Sequence, residues 1–285
     1  MSNPFQPASP PPPKSPGERR ARPRFDTMKI WDEATAALLA NRDVLLAVLG
    51  VFSVLPVFAW VQFLPLPEQV AGNGSTQQLE QWGQYFNANW LPVLAVLLLQ
   101  YFGMLVTLAL LGDAARPTVS EAMRQALRAA PSFLAALLAG QVFAMLCGLI
   151  PAILIGLTGS LALVWMGMLI GGVLFFYVLA RFAFIGPAVV LDGIRNPVQA
   201  LRGSFLATKG IGWQMLAFLL MIYFAFLIVG WLLQAALVLL VKLIAGAAAA
   251  TLAGNFVNSV VQAAEVATFV AVIAAAYRQT GKPAA

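Results

Sequence analysis

A periodic row of polar side chains lies in the last long apolar stretch of the chain, residues 246–277. Its members follow one another at steps of four, three, four and three residues, and they are Thr251, Asn255, Asn258, Gln262 and Glu265. At about 100° per residue these side chains fall within roughly 80° of one another on a helix. We call this face the polar stripe.

The polar stripe has residue types that can bind a polar group inside a membrane. A carboxylate at membrane depth costs about 2.5–3.5 kcal/mol on insertion scales, so Glu265 is expected to face protein or water. One hypothesis is that Asn255, Asn258, Gln262 and Glu265 line a hydrated cavity or groove, with Arg181 of an earlier apolar run as the ion-pair partner of Glu265. The alternative is a purely structural ion pair with interhelical hydrogen bonds, each worth about 0.6–2 kcal/mol.

Residue types needed for common catalytic chemistry are missing from the sequence. The chain has no histidine and a single cysteine, Cys147, within an apolar run. This excludes His-based acid–base catalysis, Ser-His and Cys-His nucleophile pairs, and His-ligated metals. A Gly-x-Ser-x-Gly elbow, a phosphate loop and an acidic pair within one span are also absent. We therefore predict a protein that is not an enzyme and carries neither a metal nor a cofactor.

Composition defines an integral membrane protein. Of the 285 residues, 61% are hydrophobic and only 10% are charged, against about 45–50% and 25% in soluble domains. Apolar runs of membrane-spanning length recur along the chain. The fold class we predict is all-α, with six transmembrane helices arranged as three hairpins, spanning residues of about 44–64, 90–112, 133–157, 161–187, 211–241 and 246–277.

The distribution of positive charge predicts the orientation. Every lysine and arginine except Lys242 lies before the first span, between the second and third, beside or between the fourth and fifth, or after the sixth. By the positive-inside rule both termini are cytoplasmic, and the expected location is the inner membrane of a bacterium. This distribution also accounts for the net charge of +6 without a nucleic-acid partner.

The spans are predicted to belong to one membrane domain, residues 28–279, built from three similar units. Each unit begins with a short cytoplasmic amphipathic helix, over about 28–42, 113–132 and 192–212, and continues as a hairpin. Residues 1–27 form a Pro-rich, basic tail that is predicted to be disordered, and residues 280–285 form a short C-terminal tail.

Local signals give finer expectations. Thr118 and Glu121 fit a capping box, and Asn196 followed by Pro197 fits a helix start. A Gly-x-x-x-Gly spacing at Gly167 predicts close helix packing. The apolar run from Trp213 to Ala245 would be about 50 Å long as a helix, against a hydrocarbon core of about 30 Å. It must therefore tilt strongly, protrude or break, and Gly230 is the candidate for the break. Pro56 is the expected kink of the first span.

A stretch near the middle of the chain resembles a known family. Its elements are an arginine near a span end, a proline, an Ala-Leu-x-x-Ser run and a Thr-x-Gly before the next span, here Arg181, Pro187, Ala200–Ser204 and Thr208–Gly210. This pattern is similar to the bacterial glycerophosphoryl diester phosphodiesterase membrane domains, over about residues 28–279. The resemblance implies a six-span membrane protein. The catalytic domain fused to some members has no counterpart here, and its histidine-dependent chemistry is not expected.

Two functions are compatible with these observations. In the first, the protein binds or moves a lipid or small amphiphile through a polar-lined interior, with membrane lipids as its partners. In the second, it is a membrane scaffold or assembly protein that holds a protein partner through its cytoplasmic helices and its Pro-rich tail. The polar stripe favours the first.

Overall fold

The computed structural model of the chain describes residues 25–64, 75–112, 117–157 and 160–280, and these residues are helical with no strand. The predicted tail before residue 25 and the predicted C-terminal tail beyond residue 280 lie outside them. The helices are α1 (Thr27–Ala40), α2 (Arg42–Leu49), a π-helical turn (Gly50–Val54), α3 (Leu55–Phe63), α4 (Ser75–Gly112), α5 (Val119–Gly156), α6 (Leu161–Arg181), α7 (Ile185–Val190), α8 (Pro197–Ala207) and α9 (Gly212–Thr280).

Among the described residues, five helical segments are long and apolar enough to cross a membrane. Large apolar side chains are exposed along them, up to 79% at Phe63, as expected where lipid is the solvent. The predicted all-α membrane class is therefore confirmed at this level. The five segments are Arg42–Phe63, Glu80–Gly112, Val119–Gly156, Ala162–Val190 and Gly212–Thr280.

Helix α1 lies where the first short amphipathic helix was predicted, over about residues 28–42. Helix α1 is capped by Asp26, whose carboxylate accepts from the backbone N–H of Lys29 at 3.1 Å. Its buried residues, Ile30 and Ala34, belong to the predicted apolar face. The distortion expected at Pro56 lies in the preceding π-helical turn, because proline has no N–H to donate and its ring crowds the carbonyl of residue i−4.

Helix α5 differs from the structure that was predicted for the second unit. A separate amphipathic helix was expected before a span starting at residue 133, but one helix of 38 residues runs through Pro131. The capping box at Thr118 is present, with the Glu121 N–H donating to Thr118 Oγ1 at 3.3 Å. The helix continues because one buried row crosses the proline without a change of face: Ala122, Ala126, Ala129, Phe133 and Ala136.

Helices α5 and α6 pack in close contact through glycines, as the Gly-x-x-x-Gly spacing predicts. A Cβ added to Gly171 would lie 2.3 Å from the carbonyl oxygen of Gly148. One added to Gly167 would lie 3.2 Å from the Ala152 carbonyl oxygen. The fourth span was expected to reach residue 187, but α6 ends at Arg181 and the short helix α7 follows a turn.

The break that was predicted at Gly230 is not found in helix α9. Gly230 lies inside the helix, and the interruption is at Gly246, where φ is 86°. Glycine adopts this left-handed conformation without the penalty of a Cβ. On the two sides of it, Gly230 packs against Val261 and Gly254 against Val238. Residues 31 apart on a straight helix would be about 46 Å apart, so the chain reverses direction at Gly246.

The last turns of α9 hold one end of the bundle together. The Tyr277 hydroxyl donates to Asp192 in the connection between α7 and α8. Arg278 Nη1 donates to the carbonyl of Leu111 at the end of α4 at 3.0 Å. The Asp26 N–H, at the start of α1, donates to Gln279 Oε1 at 3.1 Å. The main buried core lies at this end, under α1, α7 and the final third of α9.

Candidate functional site

The polar stripe lies on the surface of the helix bundle. Asn258 and Gln262 are exposed, and Asn255 and Glu265 are half-buried. The face of α9 that packs inward at this level instead carries the small residues Gly254, Ser259, Ala263 and Ala267. The expectation of a polar-lined interior is therefore wrong for these residues, because the small side chains are the ones that permit close helix packing.

A second helical segment runs beside the stripe. Asn255 Nδ2 donates to Gln62 Oε1 of α3 at 3.4 Å. The rings of Phe58 and Phe256 meet edge to face, with centroids 5.9 Å apart. Because α1 meets the C-terminal end of α9, the α2–α3 segment runs antiparallel to this half of α9. The stripe is thus flanked on one side by α3 and open on the other.

The π-helical turn also lies beside this half of α9. It packs against α9, and continuing the antiparallel register from Gln62 and Asn255 places it at the level of Gln262 and Glu265. A Cβ on Gly50 would meet no atom within 4 Å, so space is open beside the turn. A π-turn widens the backbone, and such turns are frequent at functional sites. The stripe therefore presents amide and carboxylate groups, and the π-helical turn lies beside α9 near the level of Gln262 and Glu265.

Arg181 does not join the stripe. Its side chain is 7% exposed, and its guanidinium is held by the connection between α8 and α9. Nε donates to Thr208 Oγ1 at 2.9 Å, and Nη2 donates to the carbonyl of Phe205. Nη1 donates to the Tyr177 hydroxyl at 3.2 Å. The predicted ion pair between Arg181 and Glu265 is not formed, because these neutral oxygens supply the partners of the guanidinium instead.

The Arg181 side chain is also enclosed by rings. Its Cζ lies 3.9 Å from the centroid of the Phe205 ring, a distance at which a guanidinium is attracted to the ring face. The Tyr177 ring stacks on Trp213 with centroids 4.5 Å apart. A Cβ on Gly212 would lie 2.7 Å from Arg181 Cδ. Arg181 thus links the C-terminal end of α6 to the start of α9.

The hydroxyl groups of Ser204 and Thr208 also contribute to this link, and the sequence analysis assigned them no role. Ser204 Oγ donates to the carbonyl of Arg181 at 2.8 Å and accepts from the Phe184 N–H at 3.1 Å. Thr208 Oγ1 lies 3.1 Å from the same Arg181 carbonyl. Both hydroxyls form hydrogen bonds with backbone groups at the C-terminal end of α6. The helix can therefore end there although its backbone is buried. Their spacing of four residues on α8 was the available signal.

Metal-binding geometry does not arise among the residues described. They contain no group of three or more His, Cys, Asp or Glu side chains that could hold a metal ion. The site is therefore built from amides, one carboxylate and hydroxyl groups. Such groups are able to donate and accept hydrogen bonds.

Comparison with known proteins adds no assignment: no family model, no curated protein and no solved structure matches the chain. The similarity to the phosphodiesterase membrane domains stays a prediction from the motif at Arg181 and the residues that follow it.

Proposed function

We propose that the chain crosses the membrane six times, as three helical hairpins with both termini in the cytoplasm of a bacterium. The reversal at Gly246 supports this count, because it divides the longest apolar helix into two segments of 34 residues each, 212–245 and 247–280. The amphipathic elements of the three units would then be α1, the first turns of α5, and α8. The near absence of positive charge from the opposite side supports the orientation.

Cysteine labelling tests this orientation. Single cysteines at Gln77 and at Arg202, both exposed, would be introduced after replacing Cys147 with alanine. In intact cells a membrane-impermeant maleimide is expected to label the cysteine at position 77, and to label the one at 202 only after permeabilisation. Labelling of position 202 from outside would reverse the proposed topology.

For the function, we propose that the protein is non-enzymatic and binds the polar group of a lipid or small amphiphile on the polar stripe. One observation carries this: amide groups are exposed at Asn258 and Gln262, next to the exposed apolar side chains of Phe256 and Val260 on the same helix. From Thr251 to Glu265 the stripe is about 21 Å long, against a hydrocarbon core of about 30 Å.

An amide that faces hydrocarbon has no hydrogen-bond partner there. Transfer of an amide from water to a hydrocarbon without a partner costs about 4–8 kcal/mol. A lipid or amphiphile can lower this cost, since its polar group can bond to the stripe while its apolar tail stays among the surrounding lipid chains. Binding on an outward-facing stripe requires no enclosed channel. Movement of the polar group along the stripe would follow from the same contacts.

Native mass spectrometry tests the binding. The wild type would be released gently from its own membrane beside an N258L/Q262L variant, which removes both exposed amides. A bound lipid or amphiphile is expected on the wild type, and about tenfold less on the variant, because each lost hydrogen bond is worth about 0.5–1.5 kcal/mol. The matched control is Q234L, which removes an amide of α9 outside the stripe.

An equal adduct on N258L/Q262L and on Q234L would contradict the proposal. Absence of any adduct from all three proteins would favour the scaffold function instead. In that case deletion of residues 1–24, and not substitution of the stripe, should abolish the cellular phenotype of the protein.

A further inference from the structure

A charged cleft opens at the opposite end of the bundle from Gly246, between the first turns of α5 and the connection from α7 to α8. Its volume is about 510 Å³. It lies apart from the polar stripe, and no role has been given to it above. Its ionisable side chains are Glu121, Arg124, Arg128, Asp192 and Arg195.

The two walls of this arginine cleft are tied together by hydrogen bonds. Gln125 Nε2 donates to the carbonyl of Val190 at 2.7 Å. Ser132 Oγ donates to the carbonyl of Arg195 at 2.7 Å. Arg195 Nη1 in turn donates to the carbonyl of Arg128 at 2.9 Å. The positions of the two walls, and of the Arg195 side chain, are therefore set without a ligand.

The carboxylates in the cleft already accept hydrogen bonds. Glu121 Oε2 accepts from the Thr118 N–H at 2.8 Å and from the Thr118 hydroxyl at 2.9 Å. Asp192 accepts from the Tyr277 hydroxyl. Three guanidinium groups thus share the cleft with two carboxylates that are engaged elsewhere.

Among the residues that the structure describes, Arg124 and Arg128 have no hydrogen-bond acceptor for their guanidinium N–H groups. They stand one helical turn apart on α5 and both are exposed. Arg124 interacts electrostatically with Glu121. Within the described ranges, however, neither guanidinium donates a hydrogen bond or lies within 4.0 Å of a carboxylate oxygen. Like charges so placed repel one another, and an anion between them would relieve that repulsion.

We propose that the arginine cleft binds a phosphate group. Guanidinium groups present N–H donors in a planar fork that matches the oxygens of a phosphate, and such charge-assisted bonds are the strong ones. The same chemistry is offered by the headgroup of an anionic phospholipid and by a soluble phosphate compound. The cleft is close to the start of the apolar part of α5 at Phe133, where a headgroup would lie.

The test uses the full-length protein in a neutral detergent, with two probes. One probe is phosphatidic acid against phosphatidylcholine, followed as adducts by native mass spectrometry. The other is inorganic phosphate against chloride at equal ionic strength, followed as a rise in the unfolding temperature. The variant is R124Q/R128Q. Its matched control is R42Q/R202Q, which removes two exposed arginines outside the cleft.

Binding to the variant is expected to be at least about tenfold weaker than to the wild type, with the control unchanged. A loss confined to phosphatidic acid identifies the lipid headgroup as the ligand. A loss of the phosphate-dependent rise in unfolding temperature, without preference for phosphatidic acid, identifies a soluble phosphate compound. Equal binding by the wild type and R124Q/R128Q, or an equal loss in the control, overturns the proposal.

Discussion

Replacing Gly171 with valine is expected to lower the free energy of unfolding by about 3 kcal/mol. The added side chain would begin 2.3 Å from the Gly148 carbonyl oxygen and 3.2 Å from Ala152 Cβ. A backbone atom cannot give way as a flexible side chain can, so α5 and α6 must separate along the contact. The measurement is the unfolding temperature of the purified protein in detergent.

The neighbouring glycine provides a close control. Gly172 is on the same turn of α6, and a Cβ there would meet no atom within 4 Å. The substitution G172V should therefore change stability by less than about 0.5 kcal/mol, as for a surface change. Equal unfolding temperatures for G171V and G172V would show that the close packing of α5 on α6 does not hold.

Loss of the Arg181 side chain is the second large effect expected. The substitution R181M removes the donors to Thr208, Phe205 and Tyr177, of which the first lies at 2.9 Å. Hydrogen bonds to a charged group are each worth about 1.5–3 kcal/mol and are not additive, so a destabilisation of about 3 kcal/mol is expected. Lysine should restore only part of this loss, because an ammonium lacks the planar fork of the guanidinium.

Thermal unfolding of three variants separates this role from the ion pair suggested by the sequence. If Arg181 is held by the α8–α9 connection, R181M is strongly destabilised while E265Q and R202M stay near the wild type. If Arg181 and Glu265 paired with each other, E265Q would be destabilised about as much as R181M, since either change would leave a buried partner unpaired.

Features set by neighbours in sequence could be predicted. The caps at Thr118 and Asn196 are present, with Asn196 Oδ1 accepting from the Val198 N–H at 2.9 Å. The close packing at Gly167 is also present. Each depends on a few residues whose spacing determines the geometry, and the apolar composition likewise suffices for the membrane class.

Features that depend on tertiary contact could not be predicted in this way. Pro131 suggested a helix boundary, yet α5 continues because its buried row keeps one face across the proline. The break predicted at Gly230 is not present, whereas Gly246, where the sixth predicted span begins, takes a positive φ. Gly230 is held inside the helix by Val261, whereas a Cβ on Gly246 would meet no atom within 4 Å.

The candidate site also has some features that could be predicted from the sequence and others that could not. Periodicity correctly placed Asn255, Asn258 and Glu265 along one face of α9, but it cannot say what that face meets. The stripe faces outward because the opposite face of α9 packs inward, where Gly254 and Ser259 are small enough to pack against other helices. Two of the three partners of Arg181, Phe205 and Thr208, could not be predicted either, since they lie 24 and 27 residues away along the chain.

Spin labelling at Asn258 in a reconstituted bilayer is the most direct test of whether the polar stripe faces the lipid. The label would be attached to a cysteine in a protein whose Cys147 is replaced by alanine. Val260, 42% exposed on the same helix, provides the lipid-facing reference. The label at position 258 is predicted to collide with dissolved oxygen about as often as the label at position 260. A collision rate several-fold lower at 258 would show that protein covers the stripe, and would contradict lipid binding there.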